Sequence, residues 1–154
     1  MGLRWGRVLA TAAMLAPSPV VAQRITELGI QATALVAEPG ALVVGGYGAV
    51  RTSLRSRMSL AAGAGVSDGK ATVRGEALAH FLLNPTRQHG AGLYVAGGLA
   101  VVEGPVDEGY IVLTLGVEGR PAAAAGWFVE AGVGGGARLA AGYRHRWLPP
   151  GWPD

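Results

Sequence analysis

The stretch Ala71-Thr72-Val73-Arg74-Gly75-Glu76-Ala77-Leu78-Ala79-His80-Phe81 decides the fold. Ala71, Val73, Ala77, Ala79 and Phe81 fall on one parity, and Thr72, Arg74, Glu76 and His80 fall on the other. A period of two is the signature of a β-strand, whose successive side chains point to opposite faces.

The same alternation extends in both directions. Leu54, Met58, Leu60, Ala62, Ala64 and Val66 oppose Arg55, Arg57 and Ser59. Ile111, Leu113, Leu115 and Val117 oppose Thr114 and Glu118, while Trp127, Val129, Ala131 and Val133 oppose Glu130. Leu139, Ala141, Tyr143 and Trp147 oppose Arg138, Arg144 and Arg146. Turn clusters separate these runs: Glu38-Pro39-Gly40, Ser67-Asp68-Gly69, Asn84-Pro85-Thr86, Glu103-Gly104-Pro105, Gly119-Arg120-Pro121 and Gly134-Gly135-Gly136. Gly and Asp tolerate positive φ, and Pro fixes φ and removes a donor, so such clusters reverse the chain. One further turn is required near Thr52-Ser53, because 41–66 is too long for one strand. Eight strands are expected, near 24–36, 41–51, 54–66, 70–82, 89–102, 109–118, 125–133 and 137–147. Most are about twice the usual length of a soluble strand, roughly five or six residues. They suit tilted strands crossing ~25–30 Å of hydrocarbon. The fold class is therefore all-β, an eight-stranded antiparallel up-and-down barrel of transmembrane type.

Composition agrees. Of 154 residues, 50% are hydrophobic, only 15% are charged and 26 are Gly. Soluble domains carry about 25% charged residues. Lys70 is the only lysine, and no run of eighteen apolar residues exists to form a spanning helix. The absence of Cys excludes disulfides and thiolate metal sites. The three His are too scattered for metal-ligand spacing, so neither metal nor cofactor is expected.

Residues 1–22 read as a secretory signal peptide. Arg4 and Arg7 precede the short apolar stretch Val8–Ala16, Pro17 and Pro19 break it, and Val20-Val21-Ala22 offers a cleavage site. Removing Arg4 and Arg7 lowers the formal charge from +3 to +1, which gives no sign of a nucleic-acid partner. The domain plan is a signal peptide at 1–22, a barrel over 23–147 and a short tail at 148–154.

Period two does not say which face is inside. Three features place the polar parity in the lumen. That parity is rich in small residues (Gly90, Gly92, Ala96, Gly98, Gly132, Ala140, Gly142), which suit the crowded interior of an eight-stranded barrel. Phe81, Trp127 and Trp147 fall at one end, as an interfacial aromatic girdle would. The strands are also long for a soluble sandwich. An Arg turned to lipid near the midplane costs ~2–4 kcal/mol, so the charged parity cannot face lipid. The expected lumen network is Glu27, Arg51, Arg55, Arg57, Arg74, Glu76, Glu118, Glu130, Arg138 and Arg144. Buried together, these charges must pair, and they should plug the barrel; an open pore needs more strands.

The chain resembles the small eight-stranded outer-membrane barrels of the OmpA and OmpX kind. The resemblance rests on the export segment, the eight alternating runs and the C-terminal strand Arg138-Leu139-Ala140-Ala141-Gly142-Tyr143-Arg144-His145-Arg146-Trp147. That strand looks like the aromatic-ended segment read by barrel-assembly machinery, although Leu148–Asp154 continues beyond it. The resemblance implies an outer-membrane location, contact with outer-membrane lipids and assembly machinery, and a monomer. The implied role is structural or surface-interacting, and not enzymatic. Two alternatives stand: a soluble periplasmic lipocalin-like barrel for a small apolar ligand, and a lipid-modifying barrel enzyme. For the enzyme, His80 is the candidate acid/base, but Phe81-Leu82-Leu83 follows it and no neighbouring Ser completes a triad. A hydrogen-bonded lumen His is the plainer reading.

Overall fold

The computed structural model describes residues 24–36, 40–105 and 107–151. The expected signal peptide lies outside them. Eight strands follow in chain order: β1 (Ile25–Val36), β2 (Ala41–Arg51), β3 (Ser56–Ser67), β4 (Lys70–Leu82), β5 (Ala91–Glu103), β6 (Glu108–Gly119), β7 (Ala125–Val133) and β8 (Ala137–Trp147). Each pairs antiparallel with its chain neighbours, and β8 pairs with β1 to close the barrel. Closure leaves no unpaired sheet edge.

The registers fix the barrel's dimensions. Following partners once round leads from Thr26 through Val50, Met58, Ala79, Gly97, Leu113, Val133 and Ala137 to Val36, a stagger of ten residues from 26 to 36. Eight strands with that stagger tilt by about 40° and enclose a radius of about 8 Å. A twelve-residue strand then rises ~30 Å along the axis, a little more than the ~25 Å apolar band of known membrane barrels.

Turn chemistry sets the ends. Asp68 (φ 50°) and Gly69 (φ 71°) both lie in the left-handed region, the geometry of a tight two-residue hairpin. The connections are unequal at the two ends. Beside the termini they span 52–55, 83–90 and 120–124; at the other end the shortest span only 68–69 and 134–136.

Alternation sorts the side chains as the sequence implies. Outward positions are apolar along the middle of the strands, with Leu60 at 69% and Ile111 at 72% exposure, and the polar Thr26, Glu103 and His145 lie near strand ends. Inward positions hold buried Glu27, Arg57, Arg74, Glu76, Glu118, Glu130, Arg138 and Arg144. The lumen is thus polar, and the apolar surface is on the outside.

Candidate functional site

The lumen contains nearly all the charged side chains that the sequence assigns to it. Glu27, Arg51, Arg57, Arg74, Glu76, Glu118, Glu130, Arg138 and Arg144 are all buried there. Arg55 is the correction. β3 begins at Ser56, so Arg55 belongs to the exposed turn 52–55 and alternation no longer applies to it. Its carbonyl accepts from Leu82 N at 2.7 Å, pinning the turn to the end of β4.

The charges form two clusters. In the one nearer the termini, Arg51 Nε lies 3.0 Å from Glu27 Oε1 and Arg144 Nε 3.1 Å from Glu27 Oε2. Arg57 Nη1 at 3.2 Å and Arg146 Nη2 at 2.8 Å both reach Glu118 Oε2, as does Arg144 Nη2. Arg146, which shares parity with Arg138 and Arg144 but is absent from the expected network, belongs to this cluster as well. In the second cluster, Arg74 Nε lies 2.7 Å from Glu76 Oε1, and Arg138 bridges Glu76 Oε2 at 2.7 Å and Glu130 Oε2 at 2.8 Å.

Aromatic rings pack among the ions. Arg57 lies 4.8 Å from the Tyr94 ring centroid and Arg144 4.8 Å from that of Phe128, close enough for cation–π attraction. The Tyr94 hydroxyl donates to Glu130 Oε1 at 2.8 Å. Glycines make room for these rings. A Cβ at Gly116 would collide with the Tyr94 ring, and one at Gly142 with Phe128.

The clusters differ in balance. Arg74 and Arg138 match Glu76 and Glu130, whereas Arg51, Arg57, Arg144 and Arg146 outnumber Glu27 and Glu118 by two. The surplus turns to backbone carbonyls of the 120–124 connection, which folds over this mouth. Arg51 Nη2 donates to Pro121 O at 2.8 Å, and Arg146 Nη1 donates to Ala123 O at 3.0 Å and Arg120 O at 3.3 Å. Carbonyl dipoles stand in for the missing anions. Beside the second cluster, a void of about 10 Å³ next to Gln31, Thr33, Arg74 and Glu76 has room for one water at most.

His80 does meet a serine, through strand register and not through sequence neighbourhood. Ser59 Oγ lies 2.7 Å from His80 Nε2, while Arg57 Nη2 lies 3.1 Å from His80 Nδ1. A guanidinium only donates, so Nδ1 must accept and the ring proton sits on Nε2. Nε2–H then donates to Ser59, and His80 has no lone pair with which to activate that hydroxyl. The geometry is that of a hydrogen-bonded core histidine, not a nucleophile–base pair.

Phe81, Trp127 and Trp147 all point outward near the termini, each about half exposed. No group of His, Asp and Glu among the described residues has metal-binding geometry. Compared with known proteins, the chain matches no family model and no curated sequence.

Proposed function

We propose that the chain is a monomeric outer-membrane β-barrel, similar to the small OmpA/OmpX-like barrels, with a structural or surface-interaction role and a lumen plugged by Arg/Glu pairs. One observation carries this reading: the inversion of the barrel, with ions inside and a continuous apolar wall outside. In water that wall would be an exposed apolar surface running through every strand. Soluble monomers rarely exceed patches of ~300–600 Å². In lipid the same wall needs no cover, and the closed hydrogen-bond ladder satisfies every strand.

Export through residues 1–22 and assembly through the strand ending at Trp147 fit this reading. The aromatic side chains Phe81, Trp127 and Trp147 suit the membrane–water boundary on the side of the termini. Hairpins as short as 68–69 leave little surface for a large recognition head, which favours a structural role. A lipocalin-like ligand binder needs an apolar lining, and this lumen is ionic. A lipid-modifying enzyme needs an activated nucleophile, and the Ser59–His80 contact has its proton the wrong way round.

The test is expression of the full chain in a diderm bacterium, followed by fractionation. The expected result is recovery with the outer membrane, solubilisation only by detergent, and faster migration of unboiled than boiled protein on denaturing gels. Release by osmotic shock without detergent would overturn the proposal.

A further inference from the structure

The exposed charges divide by end. Arg24, Arg55, Arg87 and Arg120 are exposed at the end that holds the termini, and no acidic residue is exposed there among the described residues. At the opposite end Asp68, Glu103, Asp107 and Glu108 are exposed, with Lys70 the single cation. The barrel therefore has one basic rim and one acidic rim, with an uncharged wall between them.

On the basic rim lies a cavity of about 360 Å³ between the 52–55 turn and the 83–90 connection. Arg55 and Arg87 line it, together with Leu54, Leu83 and Pro85. Its frame is fixed by backbone hydrogen bonds. Leu82 N donates to Arg55 O at 2.7 Å, and Leu83 N donates to Leu93 O at 2.9 Å. Arg87 spends one nitrogen on Ala91 O at 2.8 Å, which orients its guanidinium beside the cavity. The Arg55 guanidinium has no side-chain partner among the described residues. Leu54 and Leu83 are 50% and 41% exposed, and Phe81, two residues before Leu83 on the outer face of β4, is exposed as well.

Two guanidinium groups beside an apolar floor, at the rim of a greasy wall, match one kind of molecule, an anion with hydrocarbon attached. We propose that Arg55 and Arg87 form a site for the headgroup phosphate of an anionic glycerophospholipid in the leaflet on the terminus side. Its acyl chains descend over Leu54, Leu83 and Phe81. Arginine suits the task because its planar fork binds phosphate oxygens in pairs. Inorganic phosphate would leave the leucines without a role. The acidic rim opposite repels the same headgroup, so the site also favours one orientation of the barrel. The proposal rests on the membrane reading above.

The test uses the full-length folded barrel in phosphatidylcholine vesicles containing spin-labelled phosphatidylglycerol or spin-labelled phosphatidylcholine. Insertion is measured first, by carbonate resistance and by quenching of tryptophan with brominated lipid. Failure to insert sinks both this proposal and the membrane reading. Given insertion, the immobilised lipid fraction should favour phosphatidylglycerol. Arg55→Gln and Arg87→Gln should each lower that preference about fivefold, the equivalent of ~1 kcal/mol per cation at an anionic surface. The double variant should show no preference, while Lys70→Gln on the opposite rim keeps it. Heat-modifiable gel migration confirms that each variant is folded. Equal immobilisation of both lipids by the inserted wild-type barrel would refute the site, as would an unchanged preference in the double variant. Loss of the preference on adding millimolar inorganic phosphate at constant ionic strength would also refute it, by showing a site for free anions.

Discussion

Glu118→Gln is the sharpest test of the plugged lumen. Three guanidinium groups, from Arg57, Arg144 and Arg146, converge on the single oxygen Oε2 of Glu118. Glutamine keeps the shape and can still accept, but each ion pair becomes a bond from a guanidinium to a neutral amide oxygen. The Coulombic attraction of three buried cations to one carboxylate is lost while their donors stay bonded. The cation surplus of the cluster also rises from two to three, with no solvent at hand to screen it. The expected cost is about 3–5 kcal/mol, the range seen when one partner of a buried ion pair is removed. With a urea m-value of ~2 kcal/mol/M, the unfolding midpoint should fall by about 2 M. The assay is urea titration of the refolded barrel in vesicles, read by the heat-modifiable gel shift. Combining Glu118→Gln with Arg146→Gln restores the native surplus of two, and that double variant should be at least ~1 kcal/mol more stable than the sum of its parts. A midpoint shift corresponding to less than ~0.5 kcal/mol, or strict additivity, would show that the ions merely fill space.

Three further outcomes are expected. Leu60→Arg, in the middle of the outward wall, should destabilise the barrel in a bilayer by ~2–4 kcal/mol; a soluble barrel would tolerate it within ~0.5 kcal/mol, so urea titration in vesicles separates the two. Tyr94→Phe removes the donor to Glu130 Oε1 and leaves a buried carboxylate oxygen with one bond fewer; a loss of ~1–3 kcal/mol is expected in the same titration. Gly116→Ala drives a methyl into the Tyr94 ring, and the overpacking should cost ~1–3 kcal/mol; pairing it with Tyr94→Leu, which vacates the space, should recover most of that loss.

Much of the architecture was legible because turn residues and parity agree. The run at 70–82 ends where Asp68-Gly69 and Asn84-Pro85 place its turns, and the run at 137–147 follows the Gly134–Gly136 cluster. Parity also placed most of the lumen, because the residues sharing a face with Arg57 or Glu130 are fixed by a period of two. It failed at Arg55, two residues before Arg57, because parity has meaning only within a strand and that strand starts at Ser56. Arg146 shares parity with Arg138 and Arg144 inside the last strand, so its place in the lumen is readable from the same period of two. The Ser59–His80 contact depends on a diagonal between paired strands, which only the register supplies. The aromatic filling was partly readable, since Tyr94 shares parity with Gly92, Ala96 and Gly98. The paired glycine that receives its ring becomes visible only when Gly116 is seen opposite it.

The composition of the terminus-side cluster has a consequence for how the chain is built. Its members come from the first three strands and from the sixth and eighth, so Glu27 meets Arg144 and Arg146 only when the chain's two ends join. A seven-stranded intermediate would hold Arg51 and Arg57 against Glu27 and Glu118 with no eighth strand to seal them from water. Ring closure and desolvation of these ions are therefore one event, and a barrel stalled one strand short gains little from the pairs it already has. The last seam to zip acts as the latch on the whole cylinder.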